Sequence, residues 1–316
     1  MNNYSTTYDI INNKMINICL TKFTNDPWSK IMMEGFSLAL KDNKDFNVEQ
    51  IFEYPKKKYD LIILIGIRSI IKRNLDKDKI LPFCSKLIDM GDSALDERRN
   101  YEDAYIYFIP SDRKLYDHYH YLPKFILEDY LYPSEELSKN LNVYVDHFKY
   151  QTKKERQISI NAINKIFNDI KKSDIPLNVF YHTSNGIETN RMTPEIPEEN
   201  ISQCAKFISF EEISKIYRKS DIFFPTHRET QGMLAQEIGA CGGITVLQDW
   251  MYPKNTHHQF PLIYYNEDQK IDFLFIKKIL DKRSKNEFRN IVLKYCGFEN
   301  FKIELQKLIR LLFNRL

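Results

Sequence analysis

The chain has 316 residues, 46 of them basic and 43 acidic, with 43% apolar and 14% aromatic residues and a net charge of +3. That length predicts two domains with real cores, and the near-balanced charge weighs against nucleic acid as a partner. No stretch reaches the roughly 18 apolar residues that a bilayer crossing needs, residues 1–13 are polar and Asn-rich, and the five cysteines (Cys19, Cys84, Cys204, Cys241, Cys296) form no C-x-x-C pair. A cytoplasmic protein with reduced thiols is the expectation.

Short apolar runs then alternate with amphipathic stretches. Strands are predicted at 15–20, 48–52, 61–66, 86–90 and 104–109, with a helix over 27–40. The polar run Tyr132-Pro133-Ser134-Glu135-Glu136 interrupts the pattern, and 142–145 reads as the first strand of a second unit. The predicted division is therefore 1–135 and 136–270. In the second unit a helix over 155–171, a strand over 177–181 and a helix over 211–219 lead to a strand at 221–225. A loop, a helix over 232–240 and a strand over 244–247 follow. Strands alternating with helices predict an α/β protein of two Rossmann-like, parallel, doubly wound units facing a cleft. Residues 271–316 are helical in period, with Phe301, Leu305, Leu308, Leu312 and Leu316 on one stripe. That stripe is expected to pack back on the first unit. Lys302, Lys307, Arg310 and Arg315 lie off it, which leaves peripheral contact with the inner face of a membrane as its other fate.

The segment from Glu229 to Gly243 carries the chemistry. Ligands of open parallel sheets sit beyond the carboxyl ends of strands, where the loop after Pro225 lies. Gly232 at the helix start permits close backbone approach, and the unpaired N–H groups there suit a diphosphate. Glu237 falls about one turn into the helix and Glu229 in the loop before it, so the two carboxylates can engage opposite ends of one ligand. Gly242 and Gly243 turn the chain into the next strand. A solvated helix residue is the alternative for Glu237, since acids eight apart recur by chance among 43.

This segment, E-TQGMLAQ-E-IGAC-G, resembles the E-x7-E signature of the retaining GT-B glycosyltransferases of the GT4-like group. The resemblance extends to Phe207–Tyr217 and Ser220–Phe223, about 45 residues in all. It implies that Glu237 binds the ribose hydroxyls of a nucleotide, that Glu229 contacts the donor sugar, and that the backbone of Gly232, Met233 and Leu234 contacts the diphosphate or the sugar. It also implies a basic residue near the first strand and helix of the second unit. Lys149, Lys153 and Lys154 are the candidates there, and Arg228 is another for the phosphate. Where relatives present His-Asp in the first unit, this chain has Asp89-Met90-Gly91-Asp92. Asp92, with Asp89 beside it, is the candidate for orienting the acceptor, and strand-end capping is the alternative. The familiar Gly-Arg start of the second unit and the Gly-Gly pair after the first strand are absent. Phe125-Ile126-Leu127-Glu128-Asp129 stands in place of the usual Pro-Asn-Gly element.

His118-Tyr119-His120 and His257-His258 lack a third ligand at metal-binding spacing, and Asp76-Lys77-Asp78 reads as solvated surface, so no metal is expected. The resulting expectation is a metal-independent glycosyltransferase without a cofactor. It would move a sugar with retention from a UDP- or GDP-linked donor to a hydroxyl of a glycan or glycolipid acceptor, in surface glycan assembly. A GT-B-type sugar-nucleotide epimerase or hydrolase and a non-catalytic nucleotide-sugar-binding module are the alternatives.

Overall fold

The structure is a computed structural model that describes residues 15–23, 27–65, 76–91, 103–107, 118–136, 138–147, 153–183, 201–204, 209–228 and 233–314. Its first sheet contains β1 (Ile16–Lys22), β2 (Phe46–Ile51), β3 (Tyr59–Ile65), β4 (Cys84–Gly91), β5 (Ala104–Tyr107) and β6 (Tyr119–Tyr121). They are parallel and run in the order β2-β1-β3-β4-β5-β6. The helix α1 (Pro27–Lys41) links β1 to β2.

Near-continuous apolar runs form β1 and β3 because both faces of the sheet are covered there, and the period of two sorts each run between the faces. Leu61, Ile63 and Ile65 join Ile18 and Leu20 in one core under α1, while Ile62 and Leu64 join Cys19 in a second core on the opposite face.

The second sheet contains β7 (Leu141–His147), β8 (Leu177–Thr183), β9 (Ile201–Cys204), β10 (Ile222–Phe224), β11 (Ile244–Leu247) and β12 (Leu262–Tyr264). Its order, β12-β11-β10-β7-β8-β9, read from the other edge is the doubly wound arrangement in which the chain starts at the centre and reverses direction between β7 and β10. Five helices belong with this half: α2 (Lys153–Lys171), α3 (Phe210–Lys219), α4 (Met233–Ala240), α5 (Phe273–Lys282) and α6 (Lys285–Cys296). Val143, Val145, Ile222 and Phe224 pack with α2 and α5 on one face, and Tyr144 and Phe223 pack with α3, α4 and α6 on the other.

Local signals set the helix ends. Ser209 with Glu212 and Ser284 with Glu287 form reciprocal capping boxes. Gly242, at φ 84°, closes α4, and a Cβ there would lie 2.4 Å from Cβ of Lys285. The helical tail divides at Ser284 and Gly297 into α5, α6 and α7 (Phe298–Leu312). Phe301, Leu305, Leu308 and Ile309 of α7 lie in the same core as Met32, Phe36 and Leu40 of α1. The rings of Phe36 and Phe301 meet edge-on at 5.1 Å, and Gln306 Nε2 donates to the Ala39 carbonyl at 2.7 Å. Burying four such side chains contributes about 1.5 to 3 kcal/mol each. Among the described residues, no helix is long and apolar enough to cross a membrane.

Candidate functional site

Reversal of strand order between β7 and β10 opens a crevice at their carboxyl ends, and both following helices, α2 and α4, begin beyond that edge. Thr226, just past β10, donates its hydroxyl to the carbonyl of Asp146 on β7, which ties the two strand ends together. Asp146 itself is buried, and its carboxylate acts on the phenols of Tyr144 and Tyr217.

Glu237 stands four residues into α4 and is only 9% exposed, so the solvated alternative for this residue is wrong. The reason is the helix itself. α4 is sandwiched between the sheet and α6: at Gly239 a Cβ would lie 2.7 Å from Val292 Cγ2, and Arg289 Nη1 donates to the Ala240 carbonyl at 2.8 Å. Burial pushes the Glu237 carboxyl up to about 7, against a smaller downward pull from the Lys124 ammonium. Its charge also bears on Tyr144, Tyr217 and Cys241. The two tyrosine rings meet edge-on at 5.4 Å. Burial holds both phenols well above their usual range, so they remain neutral.

Sequence reasoning missed Lys124. It lies in the irregular stretch after β6, is 5% exposed, and acts on both Glu237 and the Cys296 thiol. Its neighbours explain the placement. Phe125 packs on Phe301 with ring centroids 4.6 Å apart and leaves no room for a Cβ at Gly35, its Cζ being 2.1 Å from that position. The Ile126 N–H donates to the Cys296 carbonyl at 2.9 Å, and Glu128 meets Arg289 at 3.4 Å. Phe125-Ile126-Leu127-Glu128-Asp129 thus ties down the connection between the two halves and carries Lys124 to the acid on α4. Next to it, Gln259 accepts from Gln236 Nε2 at 3.4 Å.

The remaining sequence candidates fall in three groups. Met233 and Leu234 open α4 and are half-buried, and Arg228 follows β10 with its side chain exposed. Lys153 and Lys154 form the first turn of α2, after the carboxyl end of β7. Glu229, Gly232, Lys149 and Asp92 lie outside the described residues, while Asp89 is buried on β4. The structure therefore brings Glu237, Met233, Leu234, Arg228 and the start of α2 to one edge of one sheet. His257, considered as a ligand, instead contacts the Tyr264 hydroxyl at 2.5 Å and the Tyr252 carbonyl at 3.0 Å. Asp76 caps a short exposed turn by accepting from the Asp78 N–H at 3.1 Å.

Neither a protein-family model nor a curated protein matches the sequence. Solved structures do match in shape. Sucrose-phosphate synthase from Thermosynechococcus elongatus superimposes with a TM-score of 0.63 at 11% identity, over 95% of this chain and 100% of that one. A glycosyltransferase involved in avilamycin A biosynthesis gives 0.58 at 9% identity, over 95% and 98%. A Listeria monocytogenes protein described as a UDP-N-acetylglucosamine 2-epimerase gives 0.56 at 10% identity, over 96% and 98%. At these identities the likeness is one of fold. With two parallel-sheet α/β units matched over nearly their whole length, the chain has the GT-B fold.

Proposed function

We propose that the protein is a glycosyltransferase that moves a sugar from a UDP- or GDP-linked donor to a hydroxyl of a glycan or glycolipid, in surface glycan assembly, with retention and without a metal or other cofactor. The observation that carries this reading is Glu237, a buried acid one turn into the helix that follows the central strand β10 at the switch point. A carboxylate there accepts hydrogen bonds from both ribose hydroxyls, and Lys124 favours its ionised form. The bond from the anomeric carbon to the β-phosphate oxygen breaks as the acceptor oxygen bonds to that carbon, and the acceptor proton is released. The N–H groups of Met233 and Leu234, with Gly232 before them, would receive the departing diphosphate, and Arg228, Lys149, Lys153 and Lys154 supply the cations. Glu229 would hold the donor sugar and Asp92 the acceptor. In this reading residues 1–135 hold the acceptor, 136–270 hold the donor, and 271–316 return to the first unit.

The test is a thermal-shift screen of nucleoside diphosphates with and without EDTA. UDP or GDP should raise the melting temperature by mass action, equally in both conditions. No shift, or one that needs magnesium or manganese, defeats the reading. The likeness to the protein described as an epimerase favours a second reading. Incubation with UDP-N-acetylglucosamine and no acceptor distinguishes it, because only an epimerase or hydrolase would then form product.

A further inference from the structure

The first sheet has a pocket of its own, away from Glu237. It measures about 600 Å³ and lies between α1 and the exposed edge strand β2. The period of two explains why it is open: Phe46 and Val48 point with Gln50 and Phe52 to one face, but only the first two reach the core under α1. Gln50 and Phe52 continue that face past the packed region and become pocket wall. From the helix side, Lys30, Glu34 and Lys41 line it at helical spacing. Lys22 closes the end at the last residue of β1. It is only 4% exposed, and its Nζ stands 5.3 Å from the centroid of the Phe52 ring. Among the described lining residues are three lysines and one carboxylate, with an aromatic ring and the side chains of Met33 and Leu38 beside them.

We infer that this pocket binds the phosphate group of a phosphorylated sugar or polyol, as a remote anchor for an extended, phosphate-bearing acceptor. The lysines supply the counter-charge, and Phe52 with the apolar side chains gives a face for the carbon skeleton. The volume exceeds what a lone phosphate fills and suits a small ligand. The remoteness follows from topology. Lys22 ends β1, whereas Asp92, proposed to hold the acceptor, follows β4, two strand spacings away, which at about 4.8 Å each is about 10 Å. A group held at Lys22 is therefore not the reacting hydroxyl but another part of the same molecule. This acceptor role rests on the proposed transferase function, while the phosphate site stands without it.

Calorimetry with the full-length protein tests both. Glucose 6-phosphate should bind saturably and glucose should not. The double substitution Lys30→Ala/Lys41→Ala, both at exposed positions, should weaken the phosphosugar about tenfold or more, since a charge-assisted contact carries roughly that factor. It should leave UDP and GDP affinity unchanged. Absence of saturable binding, or wild-type binding by the double variant, overturns the site. A glycerol phosphate oligomer should bind more tightly than glycerol 1-phosphate. Equal affinity would mean a free phosphosugar site and overturn the anchor role. If no nucleotide binds but the phosphosugar still needs the lysines, the transferase reading and the anchor role fail and the phosphate site survives.

Discussion

Lys22 and Glu237 are both more than nine-tenths buried, and the two halves of the molecule treat them in opposite ways. Lys22 ends a strand beside an edge and borders an open pocket, with its ammonium against an aromatic ring. Glu237 sits in a helix closed in on both sides, among two neutral tyrosines, a thiol and Asp146, with Lys124 as the cation that acts on it. Position in the sheet makes the difference. The first site lies at an edge strand, where the layer above ends; the second lies at the central switch point, where helices crowd both faces. Burial therefore sets a basic residue at the border of an open pocket in one half, and in the other it moves an acid's titration into the neutral range.

The contrast breaks first where the two halves are joined. Phe125→Ala would empty the space between Phe298, Phe301 and Gly35 and release the segment that holds Lys124. A loss of about 3 to 5 kcal/mol is expected from denaturant unfolding, as for other buried phenylalanines. A loss below about 1 kcal/mol would mean that the segment is not the joint described.

Glu237→Gln sharpens the contrast through pH. A carboxyl titrating near 7 when folded and near 4.5 when unfolded binds its proton more tightly in the native state. Native stability from this group is thus full below about 4.5 and falls as pH rises to about 7, by on the order of 3 kcal/mol. The variant lacks that slope, so its stability relative to wild type should grow between pH 5 and pH 8, in a window set by the two values above. A constant difference across the range would contradict the buried acid.

Arg289→Met comes next. Its guanidinium donates to the carbonyls of Leu131 and Ala240 and meets Glu128, so about 1.5 to 3 kcal/mol should be lost by urea titration. Lys30→Ala/Lys41→Ala is expected to do least, within about 0.5 kcal/mol, because those side chains are exposed at an open pocket. A large loss there would show that the first site is structural and erase the contrast.

Much of this was legible in the sequence. Ile244–Leu247 is a strand as read, the helix expected over 27–40 spans Pro27–Lys41, and the glycines after α4 make the turn they signal. The short outer strands β6, β9 and β12 were not legible. They run only three or four residues, too few for a period to show, and tertiary pairing makes them strands. The tail was read as one helical stretch, although Ser284 with Glu287 spells a capping box that divides it. At the site, position within the helix picked out Glu237, but not its depth, which depends on α6 arriving some 50 residues later. Lys124 has no local signal at all. It follows Pro123 in an irregular stretch, and only the packing of Phe125 and Ile126 brings it to the acid.

The central claim is that Glu237 at the switch point receives the nucleotide, and calorimetry of UDP and GDP binding across pH tests it most directly. For the nucleotide that binds, wild-type affinity should rise as pH passes through about 7, where the carboxyl ionises. Glu237→Gln should bind it weakly, without that added rise, while Glu229→Gln should bind it nearly as wild type and lose turnover instead. If Glu237→Gln matched wild type in both affinity and pH dependence, Glu237 would not be the nucleotide ligand and the account of the site would be wrong.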